Sequence, residues 1–510
     1  MYLTNLFAFR ATNPNVLANT DIDPIGDKND YYIRTYAQKS RCIVVGLGNR
    51  GNLSQRDEEV INLLRKINKP IYCLGLNING SPRHPLYVPN ETKRKEYISS
   101  IISCMPITSI KKVRNLAGKR VLVRVDFNVP MEKKKVVDDM RIRAGLPTIK
   151  FLVEKGAKVI LMTHLGRPDG VAVKELRVDP VVNRLGELLG KNVLKLETGD
   201  WRLSDKKKIA LLTTLDDMNN GDVAMMENIR FSPDEKKNTG RLSEELANLA
   251  DIFVLDGFAV AHRAEASVVG PATFLPSYSG LLLDQELKGL SKVMDKPKKP
   301  FVVVLGGAKI ETKIPVMKNL LPKAEYILVG GGILNTYLYA KGYKVGGSLI
   351  DKDFLKEALA YCSKRKVILP VDVVVGDKEG KKFHVVNITK QPSTIINKQS
   401  AIYDIGPKTI RLFSTYIKSA QTLVWNGAMG YFEQKPYDVG TLSIARLVAS
   451  RSKGKAFGVI GGGETVQAME MVGMSEYVDL VSAGGGAMLE YLGGKKLPGV
   501  RALEKTKNKE

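Results

Sequence analysis

The sequence predicts an α/β protein with two large units of parallel strands and helices, joined by a helix and preceded by a small partial α/β segment. Runs of β-branched residues alternate with amphipathic stretches, which is the pattern of strands separated by crossover helices. Many of the chain's 46 glycines follow such runs directly, as strand-to-helix turns do. An amphipathic stretch over Ser279–Met294 separates two alternating regions, and it predicts the connecting helix.

Length and composition predict a large cytoplasmic enzyme. The chain has 510 residues, which at roughly 150 residues per domain corresponds to about three domains. No apolar run approaches the roughly 20 residues of a membrane span, and the N-terminal MYLTNLFAFRA lacks the cleavage site of a signal peptide. The cysteines lack CxxC spacing, which argues against zinc and a disulfide framework and favours a reducing compartment; they are Cys42, Cys73, Cys104 and Cys362.

The net charge of +25 raises the question of a nucleic-acid role. The lysines are spread in short surface-like runs such as 133–135, 206–208 and 296–299. Such runs are usually solvated, and no basic stretch carries the interleaved aromatic residues of an RNA-binding motif. A generally lysine-rich composition is therefore favoured over nucleic-acid binding.

The pattern divides the chain into consecutive segments. We expect a partial α/β segment at 1–90, a linker at 91–104, a first large unit at 105–280, a hinge helix and linker at 281–300, a second large unit at 301–497 and a tail at 498–510. In the first segment the predicted elements are the strands Tyr2–Phe9, Cys42–Val45 and Ile71–Leu76 and the helix Ser54–Ile67. The polar stretch Asn90–Ser100 is predicted to be a linker or a terminal helix.

A GxGxxG pattern in the first segment invites a dinucleotide-binding interpretation. Gly46, Gly48 and Gly51 follow a predicted strand and precede a predicted helix. The acid expected at the end of the next strand is missing, because IYCLGL is followed by Asn77. Binding of NAD is therefore disfavoured.

The stretch RVDFNVP places three polar residues near the end of an apolar strand. Arg124, Asp126 and Asn128 alternate with valines and a phenylalanine, a pattern that a half-buried strand with a solvated face would also produce. A second β-rich run, Lys158–Met162, is followed by THLGRP. Polar side chains at the carboxyl ends of neighbouring parallel strands mark a ligand site in α/β sheets. We therefore predict a basic pocket with one acid, formed by Asp126, Asn128, Arg141, His164 and Arg167.

The second large unit contains four glycine-rich turns, each after a β-branched strand. They occur in FVVVLGGAK, YILVGGGILN, FGVIGGGET and DLVSAGGGAMLEYL. Glycine allows backbone to approach a ligand closely, and free N–H groups at a helix start attract phosphate. One such turn can reflect tight packing alone, but four favour a nucleotide site. None matches the GxxxxGK[ST] phosphate loop.

Nine motifs, in this order along the chain, are RVDFNVP, THLGRPDG, ENIRF, AHRAEAS, VLGGAK, WNGAMGYFE, GGGET, SAGGGAMLEYL and KLPGV. Together they resemble the phosphoglycerate kinase family over about residues 105–500. The resemblance implies two Rossmann-like domains that close on a hinge, phosphoglycerate in the first and nucleotide in the second. It also implies reversible phosphoryl transfer between 1,3-bisphosphoglycerate and Mg-ADP, with Mg²⁺ as cofactor, and a monomer that binds neither nucleic acid nor membrane.

The resemblance also implies roles for individual residues. The substrate-binding residues are expected to be Arg124, Asp126, Asn128, Arg141, His164, Arg167, Arg230 and Arg263. The nucleotide-binding residues are expected to be Gly306, Lys309, Lys313, Gly331, Gly332, Asn426, Glu433, Gly461, Gly462, Gly463, Glu464 and Thr465, with Glu464 serving the metal. Arg141 and Lys309 are the candidates for a catalytic clamp on the transferring phosphoryl group. Trp425 fits core packing and adenosine contact equally well.

Several positions depart from the family pattern. Glu265 replaces the usual second histidine of AHRAHAS, Ala428 replaces the proline of WNGP, and Glu464 replaces an aspartate. The stretch LDGF at 255–258 stands where the family has NDAF. The change at Glu265 removes a possible positive group near the substrate.

The first segment resembles a second family. YLTNLFAFRATNP, DPIGDKND and YCLGLNINGSPRHPLYVP look like DUF1643, a small bacterial domain family of unknown function, without its opening segment. Met105 lies where chains of the kinase family usually begin, which leaves open a start at Met105 or a natural fusion. Two functions remain open: an active glycolytic kinase, or a binding or regulatory protein on the kinase scaffold.

Overall fold

The computed structural model describes residues 25–26, 28–46, 56–65, 67, 71–74, 95–96, 107–198, 205–238, 241–388 and 400–505. The chain divides into two compact units, Met1–Pro106 and Ile107–Glu510. None of the helices in the described ranges is long and apolar enough to span a membrane.

The first unit is a small α/β arrangement. Its described elements are α1 (Asn29–Lys39), β1 (Ile43–Val45), α2 (Arg56–Arg65), β2 (Ile71–Cys73) and β3 (Lys95–Glu96). Strand β2 pairs parallel with β1 and antiparallel with β3. These elements match three of the predicted ones with shorter bounds, while the predicted strand Tyr2–Phe9 lies outside the described residues. Part of the predicted linker, Lys95–Glu96, is the strand β3.

The second unit begins with a parallel sheet in the order β11-β10-β4-β7-β9-β8. Its strands are β4 (Arg120–Arg124), β7 (Lys158–Met162), β8 (Val193–Leu196), β9 (Val223–Met226), β10 (Ile252–Leu255) and β11 (Ser277–Ser279), and a hairpin adds β5 (Met131–Glu132) and β6 (Lys135–Val136). The accompanying helices are α3 (Met140–Glu154), α4 (Asp179–Leu189), α5 (Asp205–Asp216), α6 (Asp234–Lys237), α7 (Leu242–Ala247) and α8 (Ala266–Val269).

A second parallel sheet follows in the order β14-β13-β12-β18-β19-β20. Its strands are β12 (Phe301–Leu305), β13 (Tyr326–Val329), β14 (Val367–Ile368), β18 (Thr422–Asn426), β19 (Phe457–Gly461) and β20 (Leu480–Ser482). An antiparallel sheet, β16-β15-β17, contains β15 (Asp372–Gly376), β16 (Phe383–Asn387) and β17 (Ala401–Ile405). The helices are α10 (Ile314–Leu320), α11 (Gly331–Ala340), α12 (Leu355–Cys362), α13 (Pro407–Ser419), α14 (Val439–Ser452), α15 (Gly463–Met471) and α16 (Gly486–Leu492). The predicted α/β class with two parallel sheets is confirmed.

The helix α9 (Leu281–Met294) connects the two parallel sheets, and it packs against α3 beside the first sheet and against β20 of the second. It begins two residues later than predicted, because Ser279 ends β11, paired with Leu255. Asp256 caps its start by accepting hydrogen bonds from the backbone N–H groups of Leu282 (2.9 Å) and Leu283 (3.4 Å). A single core of buried side chains runs from the first sheet through α9 to the second.

The C-terminal residues return to the first sheet's side of the unit. Residues 498–505, predicted to belong to a tail, form the helix α17 (Pro498–Lys505). Val500 and Leu503 are buried in the continuous core, and the Gly499 N–H donates to the Ala261 carbonyl (2.9 Å). Buried apolar side chains at a spacing of three residues explain why this segment packs as a helix.

A buried carboxyl group links α9 to the second sheet. Glu286 accepts a hydrogen bond from the Ala483 N–H through Oε1 (2.7 Å), while its Oε2 is buried without a partner. Burial raises the pKa of Glu286 from 4.5 to about 7, against the opposing hydrogen bonds of Ser482 and Ala483. The folded chain therefore holds this proton to higher pH than the unfolded chain does.

This shift predicts a pH dependence of stability. As pH rises from about 4.5 through about 7, the unfolded state loses this proton first, so folding stability falls over that window and stays lower above it. Glu286→Gln keeps a hydrogen-bond acceptor without the titrating proton. The stability of Glu286→Gln relative to the parent chain should therefore rise by about 2 to 3 kcal/mol between pH 5 and pH 7.5.

Urea unfolding of both chains across this pH range measures the effect. The exposed Glu311→Gln serves as the control for loss of one acidic side chain. A difference between Glu286→Gln and the parent that stays flat with pH would contradict the assignment.

Candidate active site

Side chains just beyond the end of β4 form the acidic corner of a pocket. Asp126 makes an ion pair through Oδ2 with Nη1 of Arg141, in the first turn of α3. The Oδ1 of Asp126 is buried without a hydrogen-bond partner. Asn128 accepts a hydrogen bond from the Gly166 N–H through Oδ1 (2.9 Å), so its amide N–H groups are left to donate. One carboxylate and one amide donor therefore stand close to the end of the same strand.

Arg124 is a fully buried cation behind this corner. Its Nε donates to Ser267 Oγ (2.7 Å), its Nη1 donates to the Val125 carbonyl (2.5 Å), and its Nη2 lies 3.3 Å from Nδ1 of His164. Burial lowers the pKa of Arg124 from 12.5, and nearby carboxylates oppose that shift. The guanidinium is thus engaged with protein groups on all three nitrogens.

The contact with Arg124 determines the tautomer of His164. A guanidinium can only donate, so Nδ1 of His164 accepts and the ring proton is on Nε2. Burial lowers the pKa of His164 well below 6.5, and the charges of Arg124, Arg230 and Arg141 lower it further. His164 is therefore neutral near pH 7 and offers a hydrogen-bond donor, whereas the sequence placed it in a basic patch.

Two further arginines of the predicted patch share a carboxylate. Arg230, in the turn after β9, donates through Nη2 to Glu265 Oε1 (2.8 Å) and through Nη1 to the Gly166 carbonyl (2.9 Å). Arg263 donates through Nη1 to the same Glu265 oxygen (3.3 Å). Arg167 follows Gly166 and is exposed. The structure thus brings the predicted cations to one sheet edge, where Glu265 also lies.

The glycine turns of the second sheet pack against one another. The N–H of Gly306 donates to the Asn426 carbonyl (3.0 Å), and the N–H of Gly332 donates to the Gly307 carbonyl (3.0 Å). The N–H of Gly331 donates to the Met429 carbonyl (3.0 Å). The sequence predicted free N–H groups for phosphate at these turns, but these three are used inside the protein.

A polar network lies where β18, β19 and α15 meet. Lys313 donates through Nζ to Asn426 Oδ1, and Asn426 Nδ2 donates to the Gly461 carbonyl (2.6 Å). Thr465 Oγ1 accepts from the Gly427 N–H (2.7 Å). Burial lowers the pKa of Lys313 to about 8, while Glu464 acts to raise it. A nearby anion would favour the charged form of this lysine.

The start of α15 has room for a ligand. Gly462 has φ +95°, which favours glycine, and a Cβ on Gly463 would meet nothing within 4 Å. The exposed Glu464 accepts one long hydrogen bond, from the Ala428 N–H (3.4 Å).

Beside these turns lies a mainly apolar cavity of about 610 Å³. Gly331, Gly332, Glu433 and Glu464 are among the predicted residues that line it. This is the size and lining typical of small-molecule sites. Trp425 is fully buried in the core and donates to the Gly427 carbonyl (2.9 Å), which favours its packing role.

Sequence reasoning missed most of the residues that line this cavity, and the polar Asn335 is one of them. Asn335 lines it, is 5% exposed, and its Oδ1 has no hydrogen-bond partner. Residues four apart lie on the same face of a helix, so its position in α11 four residues after Gly331 was the available signal.

The two clamp candidates lie beside different parallel sheets. Arg141 is about one-third exposed on α3, whereas Lys309 is exposed in the turn after β12. Within the described ranges Lys309 has no ion pair.

Comparison with known proteins decides the family. The model of the phosphoglycerate kinase family matches residues 110–495, more than half of the chain. This chain belongs to the phosphoglycerate kinase family. The phosphoglycerate kinase of Pelotomaculum thermopropionicum is 44% identical over 402 residues, which cover 77% of this chain and 98% of that protein.

Solved phosphoglycerate kinase structures share the fold. That from Coxiella burnetii has 37% identity and a TM-score of 0.68, covering 78% of this chain and 99% of the other. That from Pyrococcus horikoshii has 31% identity and a TM-score of 0.67, covering 78% and 98%. The predicted function as a phosphoglycerate kinase is confirmed.

A second family model, DUF1643, described as a protein of unknown function, matches residues 1–86. This confirms the predicted resemblance of the N-terminal segment.

The close packing of the glycine turns predicts that a side chain added at Gly306 would clash with its neighbours. In Gly306→Ala the new Cβ would lie 2.1 Å from the Ala428 carbonyl oxygen and 2.5 Å from Met429 Cε. Because backbone must shift, we expect a loss of about 2 to 4 kcal/mol in stability together with weaker ATP binding. Urea unfolding and calorimetric titration with ATP measure the two effects.

Gly463→Ala is the matched control for stability, because the added Cβ would meet no atom within 4 Å outside its own helix backbone and chain neighbours. It should change stability by less than about 1 kcal/mol. Equal losses of stability in both variants would show that the close packing at Gly306 is not the cause.

Proposed function

We propose that this kinase reversibly transfers the acyl phosphate of 1,3-bisphosphoglycerate to ADP, giving 3-phosphoglycerate and ATP, and so acts as a phosphotransferase with a carboxyl group as acceptor. The observation that carries the proposal is the pairing, in one unit, of an arginine-rich pocket on the first sheet with the cavity at the glycine turns of the second. Each site has the chemistry of one substrate.

On the substrate side, the pocket after β4 binds phosphoglycerate. The unpartnered Oδ1 of Asp126 accepts a hydrogen bond from the glycerate hydroxyl. Asn128 donates through its amide to the carboxylate end, and neutral His164 donates through Nε2. Arg167, Arg230 and Arg263 surround the phosphate. Arg124 supports them from behind through its bonds to protein groups.

On the nucleotide side, the apolar cavity takes the adenosine. Glu433, exposed and lining the cavity, binds the ribose hydroxyls. Gly306, Gly331 and Gly332 shape the wall by packing, since their N–H groups are already bonded. Gly461, Gly462, Gly463 and Thr465 guide the phosphates at the start of α15, and Lys313 exchanges its contact with Asn426 for a phosphate oxygen.

Transfer needs fixed cations at the reacting phosphoryl group, because negative charge spreads over its equatorial oxygens. Arg141 approaches from the substrate side by leaving Asp126, and Lys309 approaches from the nucleotide side. No covalent enzyme intermediate is required. Closure of the two sheets' ligand sites around the substrates excludes the water that would hydrolyse the acyl phosphate.

The residues present fit Mg²⁺ delivered with the nucleotide. No group of three or more metal-ligating side chains occurs in the part of the chain that the structure describes. Mg²⁺ is usually held by one or two carboxylates together with substrate phosphates, and the exposed Glu464 is one such carboxylate. The ion would neutralise phosphate charge when bound.

We further propose a cytoplasmic monomer that binds neither nucleic acid nor membrane, in keeping with small-molecule substrates.

Removing either clamp residue should slow the chemical step. In an assay coupling 3-phosphoglycerate and ATP turnover to NADH oxidation, Arg141→Ala and Lys309→Ala should each lose about two to four orders of magnitude in kcat. Melting temperatures should change little, because both side chains are partly or fully exposed.

Arg143→Ala and Lys318→Ala are controls for loss of an exposed cation near each position. Near-normal kcat in either test variant removes that residue from the clamp. If the parent chain itself shows no turnover above background, a binding or regulatory role on the kinase scaffold replaces the proposal.

The role of Glu464 predicts a change in metal dependence. Glu464→Gln should raise the Mg²⁺ concentration needed for half-maximal rate by about tenfold, since a carboxylate is exchanged for a weaker neutral oxygen ligand. Glu464→Asp should stay within a fewfold of the parent. Magnesium titrations of the rate, and calorimetry of Mg-ATP binding, measure this.

Glu470→Gln, on the exposed face of the same helix, is the matched control. An unchanged magnesium requirement in Glu464→Gln would show that this carboxylate does not serve the metal.

A further inference from the structure

Glu265 is a carboxylate placed among cations that the substrate phosphate needs. Its Oε1 accepts from Arg230 (2.8 Å) and from Arg263 (3.3 Å) at once. The side chains of Glu265 and Arg230 are 8% and 4% exposed, whereas that of Arg263 is 32% exposed. The pairing is therefore largely shielded from solvent, where charges interact more strongly than in water.

Some of the hydrogen-bonding atoms in this arrangement have no partner. Oε2 of Glu265 and Nε of Arg230 are both buried without a hydrogen-bond partner. Buried polar groups in folded proteins are normally bonded, so such gaps call for an explanation. A phosphate oxygen bound to Arg230 would satisfy the free Nε–H, but it would be repelled by the carboxylate of Glu265, which is bonded to the same guanidinium.

The influence of Glu265 extends beyond its two partners. Burial lowers the pKa of Arg124, and the charge of Glu265, after that of Glu235, partly opposes this shift. Burial is also the main cause of the raised pKa of Glu235, to which the charge of Glu265 adds. Glu235 itself is bonded to Ser267, through the side-chain O–H (2.5 Å) and the backbone N–H (2.8 Å). Glu265 is thus the acid that faces the arginines Arg230 and Arg263 directly.

We propose that Glu265 is a positioning residue that tunes affinity for the substrate phosphate, holding Arg230 and Arg263 in place while opposing a dianionic phosphate with one negative charge. The inference rests on the proposed function for the identity of the ligand. It predicts that this kinase binds phosphoglycerate more weakly, and releases it more readily, than the same pocket without the acid.

The test is Glu265→Gln, which retains the side chain's size and an oxygen acceptor for the arginines but removes the charge. Loss of one close, buried like charge should lower the KM for 3-phosphoglycerate by roughly 5- to 30-fold. The KM for ATP should change less than twofold, because the acid lies in the first sheet's pocket. Glu265→Asp keeps the charge and should keep the KM within about threefold of the parent.

Calorimetric titration with 3-phosphoglycerate and with inorganic sulfate gives a readout that does not depend on turnover. Both anions should bind Glu265→Gln more tightly, by a similar factor. Glu187→Gln removes an exposed acid paired with Arg184 and is the control for overall charge. A lack of turnover in the parent chain contradicts the proposed activity, but the sulfate titrations still decide the role of Glu265.

An unchanged or raised KM for 3-phosphoglycerate in Glu265→Gln, with unchanged sulfate affinity, overturns the inference and leaves Glu265 a purely structural partner. Melting temperatures of all variants identify losses caused by unfolding. If Glu265→Gln is too unstable to assay, tighter sulfate binding by Glu265→Ala supports the inference, and unchanged or weaker binding overturns it.

Discussion

The arginine-rich pocket on the first sheet of the second unit depends on one buried guanidinium. Arg124 ends the central strand β4 and ties together three separate pieces of chain: its own strand at Val125, the loop after β7 at His164, and the start of α8 at Ser267. A buried charge is tolerated only where it is paired and hydrogen-bonded. Arg124 therefore fixes the relative positions of the groups that surround the pocket, and it also sets the tautomer of His164.

The cavity on the second sheet is organised by backbone packing. Glycine turns after β12, β13 and β18 interlock, and a side chain at Gly306 or Gly427 would meet backbone at 2.1 Å and 2.3 Å. Their close approach shapes the wall of the cavity, while Glu464 of α15 and Asn335 of α11 contribute polar side chains to its lining. The two halves are thus organised differently. One holds several cations around a polar pocket, and the other leaves a mainly apolar cavity of about 610 Å³.

The sequence predicted the features that follow from periodicity and strand ends. Asp126, Asn128 and His164 could be placed together because parallel strands end at the same edge of a sheet. The burial of Arg124 could not be predicted from alternation, since β4 is central and both of its faces are covered. The pairing of Glu265 with Arg230 joins residues 35 positions apart, and local pattern carries no signal for it. Likewise, the sequence shows that glycines are present but not that their N–H groups are already bonded.

Cations in both halves are paired with acceptors of the protein itself. Arg141 is paired with Asp126, Arg230 and Arg263 with Glu265, and Lys313 with Asn426. Each positive side chain is thereby held by an internal acceptor, which reduces the cost of burying or crowding like charges. In the proposed reaction, phosphate groups would bind to these four cations by exchange of partners, so the net affinity would be the difference between the new contact and the old one. The acceptors matter for this reason as much as the cations do: Asn426 is neutral and releases Lys313 at small electrostatic cost, whereas Asp126 and Glu265 keep their negative charge in the pocket after the exchange.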